Sequence, residues 1–248
     1  MSDIQAHPPL KNPSVVRTSL TLNFESEAEF PDALKTFGKS IKEEYPLLHR
    51  RRQNKKTKKS DEITLSDNEP HYRFKSEEKN FEIHIGPKYF GFVCLEPYPG
   101  WQDLKRHLYE AIALADLAFA FKSFTRMSMD FNNEIIMSHF GSDLTDTFEL
   151  WVLPNKLPLG GKPRSIGTKH AAVYAYKSGS LGIRLEFPVR KASTDDLYIT
   201  FNITFTERIR VSKGYRTDLL YDWIESAHED IYQIFVKAIR AKTLRSME

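Results

Sequence analysis

The chain has 248 residues and a formal net charge of +3, and its 40% hydrophobic and 28% charged contents are ordinary for a folded protein. This composition argues against wholesale disorder, and the single cysteine, Cys94, excludes an intramolecular disulfide. The N-terminus has no charged segment followed by an apolar one. The most apolar helical stretch, residues 111–121, is shorter than the ~20 residues that span a bilayer. We therefore expect a soluble, cytoplasmic protein, with Cys94 as a small buried apolar side chain.

The first half of the chain begins with alternating apolar residues, which predict a strand, and continues with apolar spacings of three and four, which predict a helix. Short strands and a second amphipathic helix follow. The predicted elements are a strand at 15–24, a helix at about 30–45, strands at 72–75, 81–85 and 89–95, and a helix at about 101–120.

The second half, like the first, ends as a meander of strands followed by a helix, but the two halves have no detectable sequence similarity. Its clearest strand is 197–205, where every odd position is apolar and the even positions are mostly hydroxyl or amide. Such alternation predicts an antiparallel sheet with one buried and one wetter face. The other predicted elements are strands at 121–131, 169–177 and 181–189, a short apolar run at 148–153, and a long amphipathic helix at about 218–245.

The element order predicts an α+β fold: a mainly antiparallel sheet in two meander-plus-helix halves, with three principal helices packed on one face. The first half, 1–120, contains a basic loop at 49–70, and the second half, 121–248, ends in the long helix. The two halves form either separate units or one continuous domain. We expect the last helix to pack across the strand at 197–205, because consecutive elements tend to be neighbours.

The excess positive charge is concentrated in residues 49–62. This segment holds seven cationic and two acidic side chains, so the rest of the chain is slightly acidic. It contains no aromatic residue for base stacking. If its cationic side chains bound the phosphates of a nucleic acid, the binding would therefore not depend on the base sequence. The alternatives are a solvated loop or a contact with an acidic protein. The candidate nucleic-acid-binding residues are Arg50, Arg51, Arg52, Lys55, Lys56, Lys58 and Lys59.

Motifs for catalysis, a metal or a cofactor are not evident, so we predict no catalytic residues, no metal and no cofactor. The cluster of His139, Asp143 and Asp146 is better interpreted as a polar loop than as a metal site. Arg126 and Asp130 share one strand face, and with Arg184 and Glu186 nearby they favour a cross-strand charge ladder over a catalytic dyad. His228 lies beside the apolar stripe of the last helix and is predicted to be a packing residue.

Four short motifs stand out along the chain: Pro8-Pro9-Leu10, Tyr98-Pro-Gly-Trp101, Arg126-Met-Ser-Met-Asp-Phe-Asn-Asn133, and His228, Phe235, Thr243 and Met247 of the last helix. Together they resemble a sporadically distributed bacterial family that has only a placeholder name and no assigned activity. Asp130 stands where that family usually has a second arginine, in a strand that otherwise resembles its Arg-x-x-Leu-Arg-Tyr-x-Asn motif.

The resemblance implies an accessory gene of a mobile-element, antiphage-defence or toxin–antitoxin-type system, where small α+β proteins often bind a partner. The leading hypothesis is therefore a non-catalytic protein that binds a protein partner encoded nearby. The alternative is a sequence-nonspecific nucleic-acid-binding protein, or an unrecognised nuclease, that uses the basic residues at 50–59.

Overall fold

A computed structural model describes residues 14–50, 70–77, 80–136, 148, 168–175, 180–190, 197–208 and 217–247. The elements in chain order are β1 (Val15–Ser26), α1 (Phe30–Ile41), β2 (Leu47–Arg50), β3 (Tyr72–Lys75), β4 (Phe81–Gly86), β5 (Tyr89–Leu95), α2 (Trp101–Phe119), β6 (Phe121–Ile136), β7 (Thr168–Ala175), β8 (Ser180–Arg190), β9 (Leu197–Arg208), α3 (Thr217–Ala238) and α4 (Ala241–Met247).

All nine strands belong to one antiparallel sheet with the order β2-β3-β4-β5-β1-β6-β9-β8-β7. The first strand of each half, β1 or β6, lies at the centre, and the remaining strands of that half run outward to one edge. The α+β prediction, with an antiparallel sheet and three long helices, is confirmed.

One face of the sheet carries the hydrophobic core because apolar residues alternate along its central strands. In β1, Leu20, Leu22 and Phe24 are buried, and in β9 the buried side chains are those of the odd positions 199–205. Residues two apart on a strand point to the same face, so these side chains form a continuous apolar layer.

The three long helices cover this apolar layer. Phe37 of α1 contacts Phe74 of β3 with ring centroids 5.8 Å apart. Phe235 of α3 lies 6.1 Å from Phe201 of β9, ring centre to ring centre. The predicted packing of the last helix across β9 is therefore confirmed, as is the burial of Cys94, which is 1% exposed.

The structure differs from the sequence prediction at two elements. Leu47–Arg50, taken as the start of a loop, forms the edge strand β2, whose four residues are all exposed. The single helix predicted at about 218–245 is wrong, because α3 ends at Ala238 and Ile239 pairs instead with Phe148 in an isolated β-bridge. A separate short helix, α4, then begins at Ala241.

Within the described ranges, the structure contains no helix with the length and apolar character needed to cross a membrane. The segment 51–69, the proposed cluster of His139, Asp143 and Asp146, and most of the run at 148–153 lie outside the described residues.

Candidate functional site

The side of the sheet that faces away from the helices is polar, and we call it the open face. The ring contacts of α1, α2 and α3 with the sheet reach the opposite, apolar side. The alternation that buries Leu20 and Leu22 in β1 places Ser19 and Thr21 on the open face. The same alternation in β6 and β9 makes the centre of this face a surface of hydroxyl and amide groups.

Strand register aligns four polar residues in one row across the open face. Arg17 of β1 is opposite Asn132 of β6, Asn132 is opposite Asn202 of β9, and Asn202 is opposite Arg184 of β8. We call Arg17, Asn132, Asn202 and Arg184 the arginine–asparagine row. The row crosses three gaps between strands, each about 4.8 Å wide, so the Cα atoms of the two arginines are about 14 Å apart.

A second row consists only of hydroxyl residues and lies four positions along β1. Thr21 is opposite Ser128, which is opposite Thr206, which is opposite Ser180. The hydroxyl oxygens of Ser128 and Thr206 are 2.8 Å apart, and that of Thr21 lies 3.5 Å from the hydroxyl of Tyr89. Hydroxyl groups both donate and accept hydrogen bonds. This row can therefore donate hydrogen bonds to the acceptor atoms of a ligand without the burial of a charged side chain.

Two carboxylates on the open face are engaged by neighbours. Glu82 is 7% exposed and lies 3.0 Å from Nε2 of His84 and 3.7 Å from Nη1 of Arg73. Asp130 accepts a hydrogen bond from Thr204. Among the positions of this face whose side-chain burial the structure describes, the exposed arginines are Arg17, Arg73, Arg126 and Arg184, and Glu25 is an exposed acid.

Three of these arginines, Arg17, Arg126 and Arg184, form no ion pair with any residue that the structure describes. Arg126 is also opposite Arg208 in the register of β6 and β9. The predicted charge ladder is wrong in its register, because Asp130 is opposite Ser19 and Thr204 while Arg184 is opposite Asn202.

Large exposed apolar side chains are few at the described side chains of the open face. Tyr89 is half-buried and Val93 is 4% exposed, whereas Leu47, on the edge strand β2, is 40% exposed. Protein–protein interfaces usually depend on a central cluster of aromatic or large aliphatic side chains. The open face therefore suits a hydrophilic partner that is bound by charge and hydrogen bonds.

The basic segment connects the edge strand β2 to its neighbour β3, and these two strands are paired antiparallel. Arg50, the last residue of β2, lies over the ring of Tyr72 with its guanidinium carbon 5.8 Å from the ring centre. The other candidates fall outside the described residues: Arg51, Arg52, Lys55, Lys56, Lys58 and Lys59. The structure thus places Arg50 in a strand, stacked on an aromatic ring.

A polar and aromatic cluster joins α2 to α3. Glu225 accepts hydrogen bonds from Trp101 at 3.3 Å, from Lys105 at 2.6 Å and from Tyr109 at 3.2 Å. His228 stacks on Trp101, and its burial lowers its pKa from the usual 6.5 to about 4. These contacts confirm that His228 is a packing residue, at the junction between helices of the two halves.

A third group of polar side chains lies between the end of α1 and the middle of α2. Nδ1 of His107 is 3.0 Å from Oε1 of Glu44 and 3.9 Å from Oε2 of Glu110. Sequence reasoning missed this group because Glu44 is distant along the chain. The sequence did show the i, i+3 spacing of His107 and Glu110, which places these two side chains next to each other on one face of the helix.

No protein-family model and no curated protein matches the chain. The resemblance to a sporadically distributed bacterial family stays a prediction. The arrangement of side chains on the open face therefore supplies the basis for a functional proposal.

Proposed function

We propose that this chain is a non-catalytic binding protein that holds the phosphate backbone of a nucleic acid on the open face of its sheet. The observation that carries this proposal is the arginine–asparagine row, in which Arg17 and Arg184 flank two amides. Arginine, serine, threonine and asparagine side chains are among those that contact phosphate and sugar oxygens. The row and the neighbouring hydroxyl row supply these four residue types.

The size of the sheet is also suited to a nucleic acid. Nine strands enclose eight gaps, and at about 4.8 Å each the sheet is about 38 Å wide. One turn of duplex DNA is roughly 34 Å long. Antiparallel sheets and ribbons are known nucleic-acid-binding surfaces, so the architecture itself is compatible with this role.

The chemistry of the open face favours a backbone contact over base recognition or a protein interface. Half-buried Tyr89 offers no free stacking platform, and stacking on aromatic side chains is the usual way to hold unpaired bases. The sequence alone favoured a protein partner, but the described side chains at the centre of the open face include no cluster of exposed aromatic or large aliphatic residues, on which protein interfaces usually depend. The biological setting remains the bacterial accessory system that the resemblance implies.

Fluorescence anisotropy with labelled DNA and RNA of mixed sequence tests the proposal at about 50 mM salt. We expect Arg17→Ser/Arg184→Ser to weaken binding at least tenfold. The matched control is Lys35→Ser/Lys39→Ser, which removes two exposed charges from α1 on the other side of the sheet and should leave binding within about twofold.

A third variant replaces the seven basic residues of 50–59 by serine. Loss of binding in this variant alone, with Arg17→Ser/Arg184→Ser like the wild type, would assign binding to the segment and contradict the open-face proposal. Failure of the wild type to bind any DNA or RNA would reject the nucleic-acid partner. In that case, co-purification of an acidic protein from the native host would support the protein-partner hypothesis.

A further inference from the structure

The group formed by Glu44, His107 and Glu110 has the composition of a metal site, and the ligand atom of each residue lies within 4.8 Å of the other two. His107 is 7% exposed, and its ring packs against Phe81 with centroids 4.7 Å apart, which limits its rotation. Glu44 and Glu110 have more exposed side chains, at 36% and 56%. One rigid nitrogen ligand is therefore combined with two adjustable carboxylates.

The contact between His107 and Glu44 is not an ordinary hydrogen bond. Nδ1 of His107 is 3.0 Å from Oε1 of Glu44, yet this buried nitrogen has no hydrogen-bond partner in the structure. The carboxylate oxygen is thus close to the ring nitrogen but does not lie in the direction of a hydrogen bond to it. A nitrogen and an oxygen that bind the same ion show such an arrangement, since the lone pair of each is directed at the ion.

The separations agree with coordination geometry. Nitrogen and oxygen ligands lie about 2.1 Å from a zinc ion, so two of them are about 3.0 Å apart at a right angle and about 3.4 Å apart at the tetrahedral angle. The observed separations of 3.0 and 3.9 Å lie on either side of the tetrahedral value. A small rotation of the exposed Glu110 side chain brings its oxygen to the same distance from the ion.

Tyr45 provides an independent observation beside the group. It is 3% exposed, and its hydroxyl is buried without a hydrogen-bond partner. Tyr45 directly follows Glu44 in the chain, and a buried phenol with no partner of its own can hydrogen-bond to a water molecule held by a nearby cation.

We propose that Glu44, His107 and Glu110 bind one divalent transition-metal ion of the zinc class. His107 supplies Nδ1, Glu44 and Glu110 each supply a carboxylate oxygen, and water completes the coordination next to Tyr45. The imidazole ligand selects against magnesium and calcium, which prefer oxygen ligands. The ion joins the turn after α1 to α2 and thereby stabilises the helical layer of the first half.

Isothermal titration of the metal-free protein with zinc chloride tests this site, and the wild type should bind one ion. Glu110→Gln should weaken binding at least tenfold, and His107→Gln should abolish it. Because Glu110 is exposed, its substitution leaves the fold intact even if the buried His107 variant is unstable. Asp103→Asn is the matched control, because Asp103 is an exposed acid on the same helix that pairs with Arg106 at 3.0 Å.

Cobalt(II) provides a second readout through its visible absorption, which reports on coordination. The bands should appear with the wild type and with Asp103→Asn, and should be lost with Glu110→Gln. Equal zinc affinity in the wild type and Glu110→Gln, or no binding to either, would overturn the proposal. Displacement of zinc by a hundredfold excess of magnesium would also contradict it, since that result indicates only a cluster of surface carboxylates.

Discussion

The imidazole ring of His228 lies parallel to the indole ring of Trp101, with ring centroids 3.8 Å apart and planes inclined by 4°. Trp101 begins α2, the last helix of the first half, whereas His228 belongs to α3, the long helix of the second half. The stack therefore ties the two halves together on the helical side of the sheet. Burial in this stack disfavours the charged imidazolium, and for this reason the pKa of His228 is about 4.

This depressed pKa predicts that the protein loses stability as the pH falls from about 6.5 to about 4. In that range the unfolded chain binds a proton at His228 while the folded protein does not, so protons favour unfolding. Nearby Glu225 and Glu229 act against the shift, and Lys105 adds to it. The free energy of unfolding should fall by up to about 3 kcal/mol from this group.

Urea denaturation at several pH values measures the effect, and His228→Phe is the control. Phenylalanine keeps an aromatic ring against Trp101 but cannot titrate. The wild type should lose more stability than His228→Phe between pH 6.5 and 4, since the ordinary carboxylates titrate equally in both. Parallel curves for the two proteins would show that His228 is not held neutral by its surroundings.

The core assignment of α3 predicts a large loss of stability for Phe235→Ala. Phe235 is 6% exposed and packs on Phe201, so its truncation leaves a cavity and should lower the free energy of unfolding by about 3–5 kcal/mol. Leu219→Ala on the same helix is the control, because Leu219 is 53% exposed and should change the free energy by less than about 0.5 kcal/mol. Chemical denaturation compares both. A Phe235→Ala variant as stable as the wild type would mean that this part of α3 is a docking surface.

Cys94 should be inert in the folded protein. Its side chain is 1% exposed, and burial raises the pKa of the thiol to about 12. At pH 8 only about one molecule in ten thousand then carries the reactive thiolate. Because the chain has one cysteine, the reaction with a chromogenic disulfide reports on this site alone. We expect reaction in denaturant and almost none without it, and comparable rates in both conditions would contradict the burial of Cys94.

The sequence predicted those elements of the fold in which alternation is strict, such as β9, or in which an apolar stripe repeats, such as α2. It missed β2 because Leu47–Arg50 is an edge strand with no buried face, so its pattern contains no alternation. It also merged α3 with α4, since no proline or glycine interrupts the chain near Ile239. The break arises from the tertiary pairing of Ile239 with Phe148, which a local pattern does not encode.

The candidate site was less accessible to sequence reasoning. Arg17, Asn132, Asn202 and Arg184 come from four strands that are far apart in the chain, and they meet only because the register of three strand pairs aligns them. A shift of one residue in any pair moves a side chain to the apolar face. The concentration of positive charge at 50–59 was visible in the sequence. The exposed arginines of the open face were not, because in the sequence they are dispersed among acidic residues, and only the fold shows which of those acids have other partners.

The dependence of nucleic-acid affinity on salt tests the central claim most directly. For duplex DNA, the slope of the logarithm of the association constant against that of the salt concentration changes by about 0.9 for each phosphate contact. If Arg17 and Arg184 each contact a phosphate, Arg17→Ser/Arg184→Ser should reduce the magnitude of the slope by about 1.8 relative to the wild type. The control Lys35→Ser/Lys39→Ser should keep the wild-type slope. Identical slopes for the wild type and the Arg17→Ser/Arg184→Ser variant would contradict binding on the open face.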